Sequence, residues 1–170
     1  MTPLGIAILL GHTDAVELLI DHGADINVED ISNWTIYHCA VATANCVEFI
    51  KRLLDHGADV NARNIIGSTS LHKTSHHGNT EVIQLLIDYG ANVNARDIWG
   101  GTPLHSASKE GHTDAIKLLL DHGADINAKN KLGHTPLYYA SRESSAVRLL
   151  KRRGAKRSRR CCIMSKCNIC

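Results

Sequence analysis

A seven-residue phrase recurs along this chain at a nearly constant interval. "DHGADIN" occupies 21–27 and again 121–127, and the variants "DHGADVN" and "DYGANVN" occupy 55–61 and 88–94. A second marker begins at Thr2, Thr35, Thr69, Thr102 and Thr135 and reads TPLG, TIYH, TSLH, TPLH and TPLY. These threonines are 33 or 34 residues apart, and a period of this length predicts an array of units that each pack on their neighbours. We divide the chain into units 1–34, 35–68, 69–101, 102–134 and a partial, capping unit 135–155, followed by a basic, cysteine-rich tail at 156–170.

Each unit predicts two short helices and a returning loop. Thr is a favourable N-cap, and Pro at the next position suits the first helical turn. A second helix carries apolar residues at helical spacing, such as Ile116, Leu119 and Leu120, and ends before Gly123. The run "ADINAKNKLGHT" that follows is typical of an extended hairpin leading to the next unit.

These residues resemble the ankyrin repeat, which is a family of interaction modules. The resemblance rests on "TPLHSA" at 102–107, "GHTDAIKLLLDHGADINA" at 111–128 and a G-x-T motif at Gly67 and Gly133, and it covers about 1–155. It implies an all-α repeat fold, a solenoid of helix–turn–helix units joined by β-hairpin loops. The hairpins would project as fingers, the first helices would line a concave face, and the second helices would lie on the convex side. It also implies a non-catalytic scaffold that binds another protein.

Three units depart from this pattern. The second unit has one extra residue between its Thr and its helix-ending Gly, and the fifth lacks the Gly-His turn. The first unit carries Leu9 and Leu10 where the fourth has Lys109 and Glu110. Because the end of a solenoid needs a polar surface, we expect either a longer array or a covered N-terminal face.

Charge divides the chain into an acidic body and a basic end. Residues 1–147 hold 10 basic and 17 acidic side chains, a net charge of −7, whereas 148–170 hold 9 basic side chains and no acidic one. We therefore expect no nucleic-acid binding by the repeat body. No apolar run approaches the roughly 18 residues of a membrane span, and the N-terminus lacks a signal-peptide pattern. An intracellular, cytoplasmic location is expected.

The 11 histidines are mostly periodic, which indicates structural hydrogen bonds rather than catalysis. His76 and His77 break the period, and His76 lies four residues after His72. A zinc site needs three or four ligands, so surface contact is the favoured interpretation and no metal is expected. No nucleophile elbow, phosphate-binding loop or carboxylate pair is present. We predict no enzyme activity, no cofactor and no small-molecule substrate.

The resemblance places partner contacts on the hairpin tips and the exposed faces of the first helices. Several tips are apolar, which is typical of an interaction surface, with Trp34 and Trp99 as the strongest anchors. The alternative is that neighbouring tips pack on one another. The candidate partner-binding residues are Ile31, Ser32, Trp34, Ile65, Ile66, Ser68, His76, His77, Ile98, Trp99 and Leu132.

The resemblance further implies that a 2-oxoglutarate-dependent asparaginyl hydroxylase could modify the asparagine before each finger. The candidates are Asn27, Asn61, Asn94 and Asn127, each with a leucine eight residues upstream. The alternative is that these side chains hold the turn by hydrogen bonds, which accounts for them without any modification.

The tail leaves four interpretations open. Cys167 begins a C-a-a-X-shaped end, although a terminal Cys is not among the usual X residues, and Cys161 and Cys162 are candidate palmitoylation sites. Together with the basic run, lipidation would attach the chain to an anionic membrane. The alternatives are a nuclear-import signal in "KRRGAKRSRR", an inert tail, and zinc binding by Cys161, Cys162, Cys167 and Cys170. Lipidation is the favoured interpretation.

Overall fold

The structure is a computed structural model, and it describes residues 2–26, 46–140 and 144–156. Within these ranges the chain forms nine α-helices and no strand. The helices are α1 (Pro3–Leu10), α2 (Thr13–Asp21), α3 (Cys46–Asp55), α4 (Ser70–His77), α5 (Thr80–Asp88), α6 (Pro103–Glu110), α7 (Thr113–Asp121), α8 (Pro136–Tyr139) and α9 (Ser145–Arg152). The predicted all-α repeat fold is confirmed.

The predicted signals set the helix boundaries. The Thr2 hydroxyl accepts a hydrogen bond of 3.1 Å from the N–H of Gly5 in α1, as expected of an N-cap. Pro103 and Pro136 open α6 and α8. The turn after each second helix contains a glycine with positive φ, for example 84° at Gly123, where a Cβ would be strained.

The helices form two rows. The first helices α4, α6 and α8 pack on one another in sequence, and the second helices α3, α5, α7 and α9 pack in a parallel series. Between the rows, large apolar side chains are fully buried. They include Ile50, Leu53, Leu71, Ile83, Leu86, Leu104, Ile116, Leu119 and Leu150. A continuous core of this kind gives each unit an apolar surface on which the next unit packs.

The predicted hairpins take the form of tight turns, which we call fingers and define as residues 62–68, 95–101 and 128–134. One backbone hydrogen bond closes each finger at its base, such as the 2.9 Å bond from the Asp97 N–H to the Gly101 carbonyl. The Asp97 carboxylate accepts from the N–H groups of Trp99 and Gly101 at 2.9 and 2.7 Å. Because a side chain satisfies these donors, the finger needs no two-stranded ladder.

The structure describes the irregular first helix of the fifth unit but not that of the second unit. In the fifth unit the first helix, α8, is only 4 residues long, in line with its missing Gly-His turn. The predicted extra residue of the second unit falls between Thr35 and Gly57, where the described part begins only at residue 46.

Candidate protein-interaction surface

Two periodic histidines connect the first helix of a unit to the finger at the end of the same unit. His72 lies in α4, and its Nδ1 accepts a hydrogen bond of 3.2 Å from the N–H of Thr69. Its Nε2 lies 3.1 Å from the carbonyl oxygen of Gly101, at the base of the next finger. His105 in α6 repeats both contacts, with Thr102 at 3.2 Å and the carbonyl of His134 at 3.1 Å. The predicted structural role of these side chains is confirmed.

These contacts fix the protonation state of both rings. A backbone N–H can only donate, so Nδ1 of His72 must accept and Nε2 must carry the proton that is donated to Gly101. Burial lowers the pKa of His72 and of His105, because the charged imidazolium loses its hydration. Both rings are therefore neutral at neutral pH and are fully engaged with the main chain.

The histidines before the helix-ending glycines have a different role. Nδ1 of His56 and Nδ1 of His122 donate to the carbonyl oxygens of Arg52 and Leu118, at 2.8 and 2.9 Å. Each bond satisfies a carbonyl in the last turn of a second helix. These histidines are exposed, and each of these two bonds stays within the residue's own helix.

Two of the candidate hydroxylation sites, Asn94 and Asn61, connect consecutive units. The Asn94 amide donates to the carbonyl of Gly123 at 3.0 Å and accepts from the N–H of Asp125 at 2.7 Å. Asn61 makes the equivalent bonds to Gly90 and Asn92. The expected hydrogen bonds are present, but they hold the following unit rather than the residue's own turn. Asn127 accepts from the N–H of Lys156 at 2.8 Å, Asn27 lies outside the described residues, and hydroxylation stays a prediction.

The fingers are tied to one another through their backbones. The N–H of Ile98 donates to the carbonyl of Ile66 at 3.0 Å, and the N–H of Lys131 donates to the carbonyl of Trp99 at 2.8 Å. The Arg96 guanidinium donates to the carbonyl of Lys129 in the next finger at 2.7 Å, and Arg63 donates to the carbonyl of Arg96 in the same way. Main-chain and arginine contacts therefore set the spacing of the row.

Large apolar side chains remain exposed along this row. Ile65 is 75% exposed, Leu132 69%, Trp99 56% and Ile98 45%. Ile66 and Ser68 are half-buried. The alternative that the tips pack on one another applies in part to Ile98, whose Cγ2 lies 3.5 Å from the position a Cβ would take on Gly67. The other three side chains point mainly into solvent.

The two non-periodic histidines lie at the end of α4. His76 is half-buried, with Nδ1 3.3 Å from a carboxylate oxygen of Glu110, and His77 is exposed. Burial, followed by the charge of Lys73, lowers the pKa of His77. The main-chain carbonyl of His76 also accepts a 2.9 Å bond from Nε2 of His112. Among the described residues, no group of three or more potential ligands could hold a metal ion.

Several predicted site residues lie outside the described ranges. They are Ile31, Ser32 and Trp34 of the partner-binding set and Cys161, Cys162 and Cys167 of the tail. No helix in the described ranges has the length and apolarity needed to cross a membrane.

The structure adds exposed residues that the sequence patterns did not single out. Tyr138 on α8 is exposed and stacks on His134 with ring centroids 3.6 Å apart. Leu18 on α2 is 61% exposed, the same fraction as Leu10 on α1, which the sequence had already marked as apolar at a polar position. Tyr138 stands at the position of His72 and His105 in earlier units, both of which are buried, so the repeat pattern would have suggested a buried position.

This arrangement defines a repeat solenoid with a finger row and no recognisable catalytic site in its described part. A family model described as ankyrin repeats (3 copies) matches residues 1–64 and 71–161. The chain belongs to the ankyrin-repeat family, whose fold is a protein–protein interaction module and is generally non-catalytic.

Two curated proteins are similar over a short part of the chain. They are the mouse and human proteins named Ankyrin repeat domain-containing protein 13B. Each is 45% identical over 42 residues, which is 25% of this chain and 7% of the relative. The chain therefore matches only a small part of these much longer relatives.

Proposed function

We propose that this chain is a non-catalytic scaffold that binds a protein partner through its finger row. The observation that carries the proposal is the exposure of Ile65, Trp99 and Leu132 on fingers whose backbones are hydrogen-bonded to each other. Large apolar and aromatic side chains dominate the energy of protein interfaces when a partner buries them.

The fixed backbone supports this proposal in a second way. Each described finger is closed by its own turn and joined to the next by a main-chain bond and an arginine. Ordering the backbone of a flexible loop on binding would cost roughly 1–2 kcal/mol for each residue that is fixed. Fingers that are already ordered avoid part of that cost, so the same buried contact area should give a higher binding affinity than it would on a flexible loop.

The experiment compares two pairs of substitutions. Trp99→Ala with Leu132→Ala removes exposed side chains from the fingers, whereas Leu18→Ala with Leu10→Ala removes similarly exposed side chains elsewhere. Proteins captured from cells by the parent should be retained by the second pair and lost from the first. Since Leu132 is 69% exposed, its truncation should cost roughly 0.5–1 kcal/mol of folding free energy. Equal capture by both pairs would contradict the proposal.

The non-catalytic part of the proposal is supported by the state of the buried histidines. His72 and His105 have a lowered pKa, but both ring nitrogens of each are bonded to neighbouring groups. Groups that are fully engaged in this way are not available to exchange protons with a substrate. The lowered pKa values of these two histidines thus favour a structural interpretation over a catalytic one.

We further propose that the tail places this scaffold on a cytoplasmic membrane. A prenyl group on Cys167 and palmitate on Cys161 or Cys162 would supply two anchors, and the basic run would add attraction to anionic lipids. In a cell with prenyltransferases, Cys167→Ser should move the tagged protein from membranes to the cytosol. An unchanged distribution would contradict lipidation. Nuclear accumulation that depends on the basic run but not on Cys167 would select the import alternative.

A further inference from the structure

Charge is divided between the two sides of the solenoid. We define the finger-lined surface as residues 62–78, 95–111 and 128–140, which contain the fingers with α4, α6 and α8. We define the back surface as residues 46–61, 79–94 and 112–127, which contain α3, α5 and α7. The finger-lined surface holds 6 Lys and Arg against 2 acidic residues, whereas the back surface holds 3 against 8. The net charge of −7 over 1–147 conceals this difference.

The two acidic groups of the finger-lined surface are already engaged. Asp97 accepts two backbone hydrogen bonds within its own finger. Glu110 lies 3.3 Å from Nδ1 of His76 and 3.9 Å from Nζ of Lys109. Both carboxylates are therefore poorly placed to bind a basic partner.

The Arg96 guanidinium keeps its charge. It donates to the main-chain carbonyls of Gly100 and Lys129, and a carbonyl has no net charge that could neutralise it. The side chains of Lys129 and Lys131 are exposed at the third finger. Arg63, Arg96 and Lys129 occupy equivalent positions in successive units, so positive charge runs along the whole described row, directly beside the apolar tips.

We infer that the finger-lined surface binds an acidic segment of a partner protein that carries large apolar side chains. This inference rests on the proposed protein-binding function and adds the chemistry of the ligand. Acidic side chains of the partner would lie against the arginine and lysine row, and its apolar side chains would contact Ile65, Trp99 and Leu132. The acidic back surface would repel the same segment, which orients its approach.

Stacking geometry gives the expected spacing in the ligand. Packed helices lie about 8–10 Å apart, so equivalent finger positions recur at roughly that distance. A polyproline-II chain has three residues per turn and rises about 3.1 Å per residue, so every third side chain lies on the same face and reaches the next finger after about 9 Å. An apolar residue at every third position, with acidic residues between, would match the row.

The tips favour a protein over a single-stranded nucleic acid. Binding of single strands without base pairing depends on aromatic side chains on which bases stack. Among the described tips only Trp99 is aromatic, whereas Ile65, Ile98 and Leu132 are aliphatic. Aliphatic tips gain most of their binding energy by burial against other apolar side chains.

The test measures binding of defined probes to the full chain by fluorescence anisotropy. The main probe is a 15-residue peptide with Leu or Trp at every third position and Asp or Glu at the others. One matched peptide replaces the acids with Lys, a second replaces them with Ser, and a third replaces the Leu and Trp residues with Ser. An oligodeoxythymidylate probe represents a nucleic acid. The acidic-apolar peptide should bind most tightly, and its affinity should fall as salt is raised.

Charge reversals on opposite surfaces provide the control. Lys129→Glu with Lys131→Glu should weaken binding of the acidic-apolar peptide roughly tenfold or more. Lys51→Glu with Lys117→Glu changes the net charge equally on the back surface and should have little effect. Equal loss from both pairs, or preference for the oligonucleotide, would overturn the inference. If the Ser-substituted or Lys-substituted peptide binds as well and depends on Trp99 and Leu132, the proposed function stands and the acidic ligand is wrong.

Discussion

Replacing His105 by Ala should weaken the contact between α6 and the third finger, at the end of the fourth unit. His105 is only 6% exposed, and its ring accepts from the N–H of Thr102 and donates to the carbonyl of His134. In the variant, the N–H of Thr102 would be left buried without this partner, which costs about 1–3 kcal/mol, and the second hydrogen bond is worth about 1 kcal/mol. We therefore expect the free energy of unfolding to fall by about 3 kcal/mol.

A matched control is His122→Ala. His122 makes one side-chain hydrogen bond, from Nδ1 to the carbonyl of Leu118. The side chain is exposed, and the bond stays within its own helix. Water can replace that bond, so the expected loss is at most about 0.5 kcal/mol.

Urea unfolding followed by circular dichroism would give both free energies. Amide hydrogen exchange would locate the change, because the stability of a repeat array depends on nearest-neighbour contacts. Exchange should accelerate most at Tyr138 and Ala140, at the C-terminal end of the array, and less in α4. A loss at His105 no larger than that at His122 would refute the bridging role that the geometry indicates.

Two further predictions concern pH and a crowded turn. Burial lowers the pKa of His72 and of His105, so the unfolded chain binds more protons than the folded chain as the pH falls. The stability that these two groups contribute should be full above about pH 6.5 and should fall as the pH decreases below that value. Urea midpoints measured across this pH range should decrease less for His105→Ala than for the parent. Gly78 and Gly111 both have positive φ, but a Cβ on Gly78 would lie 2.6 Å from the His112 ring, whereas one on Gly111 would have no contact within 4 Å. Gly78→Ala should therefore lower the melting temperature more than Gly111→Ala, and equal decreases would show that the ring yields without cost.

Much of the fold was predictable because the signals are local and recur. The Thr-Pro starts, the apolar spacing of the second helices and the helix-ending glycines each act within about one turn of helix. Each signal recurs at the same position in successive units, so the repeats support one another's helix boundaries. The structure accordingly contains helices where units three and four predicted them.

Contacts between residues far apart in the sequence, within or between units, were not predictable from the same patterns. The repeated His and Asn residues were expected to form structural hydrogen bonds, but sequence alone did not indicate that His72 reaches Gly101 or that Asn94 reaches Gly123, each 29 residues away. The closure of the fingers by Asp97 and its equivalents was also missed, because an extended hairpin and a side-chain-closed turn share the same residue types. The charge division between the two surfaces emerged only once the structure had assigned each residue to a side.

The contacts that Asn61 and Asn94 make between units have a consequence for how this surface can change. Their partners in the following unit are main-chain groups, such as the carbonyl of Gly123 and the N–H of Asp125. Every amino acid offers that carbonyl, and all but proline offer that N–H. Neighbouring units therefore recognise each other's backbone and place few demands on each other's exposed side chains. Substitutions at fingertips can accumulate without disturbing assembly, which separates the evolution of binding specificity from the evolution of stability.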